Sequence, residues 1–202
     1  STIYKFLKRL KITYKRVKTK YYYKSIQILQ EKINTYKSII SKISDDKILC
    51  IDETYFDPNL KSNYAWSPSG TPISHYKEVI TKKQSLIAII SNTKVLSHKL
   101  YNGNINSTRF LSFLKDSIGI YKDHYILMDN VRFHKTKEVT EYISNCNSVL
   151  YIPPYSPQFN PIEEVFSQIK NYIRQGLKLT HAFQKVTENN LRNYFSHMRK
   201  II

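Results

Sequence analysis

The sequence has 202 residues, with 32 Lys and Arg against 15 Asp and Glu, giving a formal net charge of +17. An excess of that size names a polyanion as the partner and is out of keeping with a neutral metabolic enzyme. With 41% hydrophobic and 13% aromatic residues the chain can bury a core, which excludes disorder over most of its length, and its longest apolar runs, such as Leu86 to Ile90, fall far short of the roughly 20 residues of a membrane span.

The numbering opens at Ser1 without an initiator Met or a signal-type apolar stretch, so a fragment or processed piece of a longer chain is expected. The first 24 residues carry nine Lys and Arg and no acid. Ile3, Phe6, Leu7 and Leu10 share one arc of a helical wheel, with Lys5, Lys8 and Arg9 on the other side and Ser1 or Thr2 placed as cap. A helix this short needs a partner for its apolar stripe. A basic connector, Lys11 to Lys24, follows, and Ile26, Leu29, Ile33, Tyr36 and Ile40 then repeat as one face of a second helix.

From Lys47 the period changes. Ile48 to Ile51 reads as a short buried strand, followed by strand candidates at Tyr64 to Trp66, Gln84 to Ser91 and Val95 to Leu100. Thr108 to Ile118 returns to helical spacing, Tyr125 to Met128 is a strand, Lys137 to Ser144 a helix, and Val149 to Ile152 a strand closed by Pro153-Pro154. A long helix from Pro161 and a last one from His181 finish the chain. Consecutive strands followed by alternating helices and strands predict an α/β fold, a mixed sheet with helices on both faces. Four glycines leave no phosphate-cradling loop of the P-loop or Rossmann kind. Cys50 and Cys146, far apart and in no CxxC pattern, point to reduced thiols rather than a disulfide framework or a zinc site.

Two acids stand where apolar runs stop: Asp52 after Ile48 to Ile51, and Asp129 after Tyr125 to Met128. Singly, each reads equally as a turn or cap residue. On neighbouring strands of one sheet, two such aspartates would come within reach of one divalent cation at the strand ends, where open α/β sheets bind ligands. A third acid comes from Asn160-Pro161-Ile162-Glu163-Glu164, in which Pro161 suits the start of a helix and acids favour its positive end. Ile162, Phe166, Ile169 and Ile173 must face the core; Glu163 then lies at the margin of the buried face and Glu164 nearly opposite, in solvent. Lys170 and Arg174 fall on the flank of Glu163, an edge suited to a phosphate backbone beside a metal site or, more plainly, to ordinary charge mixing. Glu53, by strand alternation, should point to the other side of the sheet from Asp52. His134 and Asn130 follow Asp129 closely, as possible support for the site or as loop residues.

These residues resemble a family. Ile51-Asp52-Glu53-Thr54, Met128-Asp129-Asn130 with His134, and Tyr151-Ile152-Pro153-Pro154-Tyr155-Ser156-Pro157-Gln158-Phe159-Asn160-Pro161-Ile162-Glu163 are similar to the blocks of the DDE endonuclease domain in transposases of the insertion-sequence 630, Tc1 and mariner superfamily. The 33 residues between Asp129 and Glu163 are close to the interval typical of that group, and Trp66 and Gly70 match residues it carries after the first acid. Gln158 stands where the family usually has Asp, and Phe166 where it usually has Trp.

The resemblance implies an RNase H-like fold in which Asp52, Asp129 and Glu163 are catalytic and hold two Mg²⁺ or Mn²⁺ ions. Transposon-end phosphodiesters would be cut and the freed 3′-hydroxyl joined to target DNA. It further implies that residues 1–24 are the end of a truncated helix-turn-helix with its basic connector, 25–46 a linking helix and 47–202 the catalytic domain. The partner would be double-stranded DNA, with terminal inverted repeats and a TA target, bound by a homodimer or larger assembly on paired ends. Lys5, Lys8, Arg9, Lys15, Arg16 and Lys18 would then contact DNA together with Lys170 and Arg174. Tyr21-Tyr22-Tyr23 could stack on bases, although AT-rich coding is the preferred account of most of the Tyr and Lys. A decayed or domesticated copy that only binds DNA is the alternative.

Overall fold

The computed structural model describes residues 2–10, 26–57, 60, 69, 72 and 84–202. The strand expected at Tyr64 to Trp66, Gly70 and the connector Lys11 to Lys24, with Lys15, Arg16, Lys18 and the three tyrosines, lie outside the described residues.

Five strands make one sheet in the order β3-β2-β1-β4-β5. They are β1 (Ile48–Phe56), β2 (Gln84–Ile90), β3 (Val95–Asn102), β4 (Tyr125–Met128) and β5 (Ser148–Tyr151). β1, β2 and β3 pair antiparallel, whereas β1–β4 and β4–β5 pair parallel. The parallel joins are those that cross over through helices, α3 (Ser107–Ile118) before β4 and α4 (Lys137–Ser144) before β5. This is the mixed sheet that the alternation of periods predicts.

Strand alternation divides the core in two. Ile48, Cys50, Leu86, Ala88, Ile90 and Leu127 face one layer, formed by α2 (Ile26–Ile40), α5 (Ile162–Arg174), α6 (Leu179–Gln184) and α7 (Glu188–Ile201). Leu49, Ile51, Ile87, Ile89, Ile126 and Met128 face α3 and α4, where Phe110, Phe113, Leu114, Val139 and Ile143 are buried. β1, β2 and β4 are buried on both faces, so they read as continuous apolar runs rather than alternating ones.

The helix expected from His181 is two helices. α6 stops at Gln184 and α7 begins after Thr187, whose side chain accepts from Asn190 N while the Asn190 side chain accepts from Thr187 N. This reciprocal capping starts a new helix where Val186 and Thr187, both poor helix formers, interrupt the old one. α7 then straps α2: Arg199 donates to the carbonyls of Ile40 (2.6 Å) and Ile43 (2.5 Å), at the last turn of α2 and the turn after it, and pairs with Asp45 at 2.7 Å. Tyr36 of α2 donates to Phe159 O (3.2 Å), docking α2 on the segment that leads into α5. The first helix, α1 (Thr2–Arg9), leaves its stripe exposed, with Ile3 at 72% and Phe6 at 59% of full accessibility.

Cys50 is buried and Cys146 exposed, both free thiols, and no described helix is long and apolar enough to cross a membrane.

Candidate active site

Asp52 does not end its strand. β1 runs on to Phe56 against β2, while its parallel pairing with β4 stops at Cys50–Leu127. Asp52 therefore stands past the end of the β4 pairing, inside the strand and largely buried. Continuing the β1–β4 register two residues past its last pair sets Asp52 opposite Asp129, the residue after β4. Two strands thus deliver two carboxylates to one rim.

Glu163 arrives from the other layer. The connection from β5 to α5 is fixed by Asn130, whose Nδ2 donates to Ile152 O (2.7 Å), by Ser156 Oγ donating to Pro154 O (3.1 Å), and by Tyr155 in the left-handed region at φ 55°. A left-handed non-glycine residue is held there at a cost, which the neighbouring prolines and these hydrogen bonds sustain. α5 then starts with Pro161 at its cap, Ile162, Val165, Phe166, Ile169 and Ile173 bury toward the sheet, and Glu163 opens to the rim. Glu164, still open to solvent, also pairs with His197 of α7 at 2.8 Å, because α7 packs beside α5 on that side.

Asp52, Asp129 and Glu163 line one cavity of about 560 Å³, shared with Glu53, Asn130 and Asn160 and floored by the proline-rich stretch 153–157. Its carboxylates single it out rather than its size, since a neighbouring cavity of about 470 Å³ shares Glu53 but none of the three. Asp52 is only 9% accessible and has both oxygens occupied: Oδ1 accepts from Glu53 N (2.8 Å) and Oδ2 from Asn160 Nδ2 (2.9 Å). Burial pushes its carboxyl well above the usual range, and the negative charges of Glu53, Glu163 and Asp129 push the same way. Glu163 is raised too, by burial and by Asp129, against the pull of Lys170. Asp129 is lowered despite burial, because His134 and Val131 N hydrogen-bond to it and His134 and Lys135 add positive charge.

His134 is fully buried, with Nδ1 2.9 Å from Asp129 Oδ1 and Nε2 3.1 Å from Glu53 Oε1. Glu53 does point to the far side of the sheet, as alternation requires, yet His134 reaches it there from the 3-10 turn Arg132–Lys135 and links it back to Asp129. Only an imidazolium donates to both oxygens, and those carboxylates hold its pKa up to about 9 against the opposing effect of burial. On the other flank Lys170 donates to Thr54 Oγ1 (2.6 Å), and Arg174 is exposed one turn further on. Lys5 and Arg9 are exposed on α1, at a terminus separated from the sheet by undescribed residues.

The sequence reading missed Asn160 as a partner of Asp52 and the role of Glu53. Both sit inside the quoted blocks, but nothing local tells that their side chains meet residues 108 and 81 positions away.

The donor set suits a hard divalent cation: three carboxylates on one cavity, each of whose protons or repulsions a cation would displace. Among the described residues no three His, Cys, Asp or Glu side chains stand close enough together, as they are placed, to hold a metal ion.

A family model described as DDE superfamily endonuclease matches residues 47–184. No curated protein sequence matches the chain. Among solved structures, the Mos1 strand transfer complex aligns with a TM-score of 0.75 at 16% identity, covering 99% of this chain and 67% of that one. The Mos1 transposase paired-end complex with left transposon end gives 0.72 at 15%, covering 98% and 67%. The catalytic domain of Mos1 mariner transposase gives 0.66 at 15%, covering 90% and 93%. At these identities the likeness is one of fold, the RNase H-like sheet flanked by helices.

Proposed function

This chain belongs to the DDE superfamily of endonucleases, and from that premise we propose that it is the catalytic part of a DNA transposase, cutting transposon-end phosphodiesters and transferring the 3′-hydroxyl to target DNA. The observation that carries the reading is the convergence of Asp52, Asp129 and Glu163 from β1, β4 and α5 on one open cavity. The likeness to Mos1 complexes, which hold transposon ends, agrees with it.

Asp52, Asp129 and Glu163 would hold two Mg²⁺ or Mn²⁺ ions, which when bound neutralise the scissile phosphate and acidify the attacking water or 3′-hydroxyl. The chain's own residues prepare for this. His134 fixes Asp129 in one rotamer from behind, and Asn130 holds the loop after β4 against the end of β5. Lys170, set by Thr54, and Arg174 carry positive charge along the edge of α5 beside the acids, where a DNA backbone would run. We further read residues 1–24 as the end of a helix-turn-helix module with its connector, Lys5 and Arg9 of α1 as phosphate contacts, and a dimer or larger assembly on paired, inverted-repeat ends with a TA target.

The test is cleavage of a duplex bearing the terminal repeats that flank the gene, in Mg²⁺ or Mn²⁺. Asp129→Asn should lower the rate by about a thousandfold, roughly 4 kcal/mol of barrier. Cleavage by the variant at an undiminished rate would refute the assignment.

A further inference from the structure

Asn160 is not one of the three acids, yet its position is unlike that of an ordinary loop residue. It is 3% accessible, and its two ends meet two different acidic residues, the carboxylate of one and the backbone N–H of the other. Its side-chain Nδ2 donates to Asp52 Oδ2 at 2.9 Å, and its backbone carbonyl accepts from Glu163 N at 3.1 Å. Phe159, just before it, is pinned by Tyr36 of α2, and Pro161, just after, starts α5 with its φ already helical. A single rigid residue therefore spans the join between the sheet's acid and the helix's acid.

The donation to Asp52 matters for what that carboxylate can do. With Glu53 N on Oδ1 and Asn160 Nδ2 on Oδ2, the carboxylate plane is fixed from two sides, and each oxygen keeps acceptor capacity for a further partner. Without the amide, a buried acid surrounded by Glu53, Glu163 and Asp129 would be free to turn away from its neighbours. The carboxamide also leaves its own Oδ1 buried with no hydrogen-bond partner among the described residues. An orphaned buried acceptor costs on the order of 1–3 kcal/mol, and in a cavity lined by acids a donor or a cation would relieve it.

We propose that Asn160 is a positioning residue for the metal-binding carboxylates: its side-chain amide holds Asp52 in the orientation a cation needs, beside the backbone turn that starts the helix carrying Glu163. This rests on the metal-dependent reading of the site. The role differs from folding α5, because the backbone carbonyl that receives Glu163 N is present whatever the side chain.

The experiment is Mn²⁺ binding to the full chain without DNA, followed by electron paramagnetic resonance, alongside thermal melting in a chelator. Wild-type protein should bind Mn²⁺ and Asp52→Asn should lose it; absence of wild-type binding would overturn the metal reading and this proposal with it. Given that binding, Asn160→Ala and the similarly sized Asn160→Leu should each weaken Mn²⁺ affinity by about tenfold or more, and alter the spectrum of the bound ion, while both still melt cooperatively. Undiminished affinity in both variants would overturn the proposal while leaving the metal reading intact. Loss of cooperative melting in both would overturn it as well, since that is the signature of a residue needed only for the fold.

Discussion

His134 has no access to solvent, and its two ring nitrogens end on oxygens of Asp129 and Glu53. A cation buried between two acids stabilises the fold only while it keeps its proton. Its pKa in the fold, about 9, stands above the value of about 6.5 that an unfolded chain gives histidine, so its contribution is complete below about 6.5 and is lost as pH rises through 9. Asp52 acts in the same direction, because a carboxyl raised by burial and by neighbouring acids makes the folded state less favourable once pH exceeds the ordinary carboxylate range. The protein in chelator should therefore melt about 5 °C lower at pH 9.5 than at pH 6.5, and His134→Asn should flatten that slope. A melting temperature independent of pH over this interval would contradict the bridge.

At the scale of elements, β1 and α5 do most to place the site. β1 is long because β2 pairs with it beyond the point where β4 stops, and that overhang puts Asp52, Glu53 and Thr54 on a rim. α5 is anchored by its apolar stripe and turned so that Glu163, Lys170 and Arg174 follow one edge. Behind it, α7 starts from the reciprocal capping of Thr187 and Asn190. Thr187→Ala should cost about 1 kcal/mol and lower the melting temperature by about 2–4 °C, measured by circular dichroism, with Mn²⁺ affinity unchanged. A larger loss would mean that α7, which straps α2 through Arg199, is held mainly by this cap.

For the whole molecule the question is how a chain of charge +17 keeps three acids together at one rim. The acids oppose a DNA backbone unless cations offset them, and the bases beside them attract it. Binding to duplex DNA should accordingly weaken steeply with salt, and Lys170→Ala and Arg174→Ala should each reduce the slope of log K against log salt concentration by about one if each contacts a phosphate. An unchanged slope in both variants would place the DNA elsewhere on the molecule. The exposed stripe of α1, with Ile3 and Phe6 open, has no cover among the described residues, as expected of an element too short to stand alone.

The alternation of strands and helices, the two core faces and the places of the three acids are legible in local periodicity: apolar runs that stop at Asp52 and Asp129, and a helical stripe that leaves Glu163 at its margin. Only the tertiary structure decided what surrounds them. Asp52 lies within a strand because β2, far along the chain, continues to pair with it. Glu53 meets His134, and Asn160 meets Asp52, across 81 and 108 residues. Glu164, still open to solvent, is also paired, because α7 returns beside α5. Hydrogen bonds between residues so far apart leave no periodic trace in the chain, since their geometry exists only once the sheet and its two helical layers have closed around them.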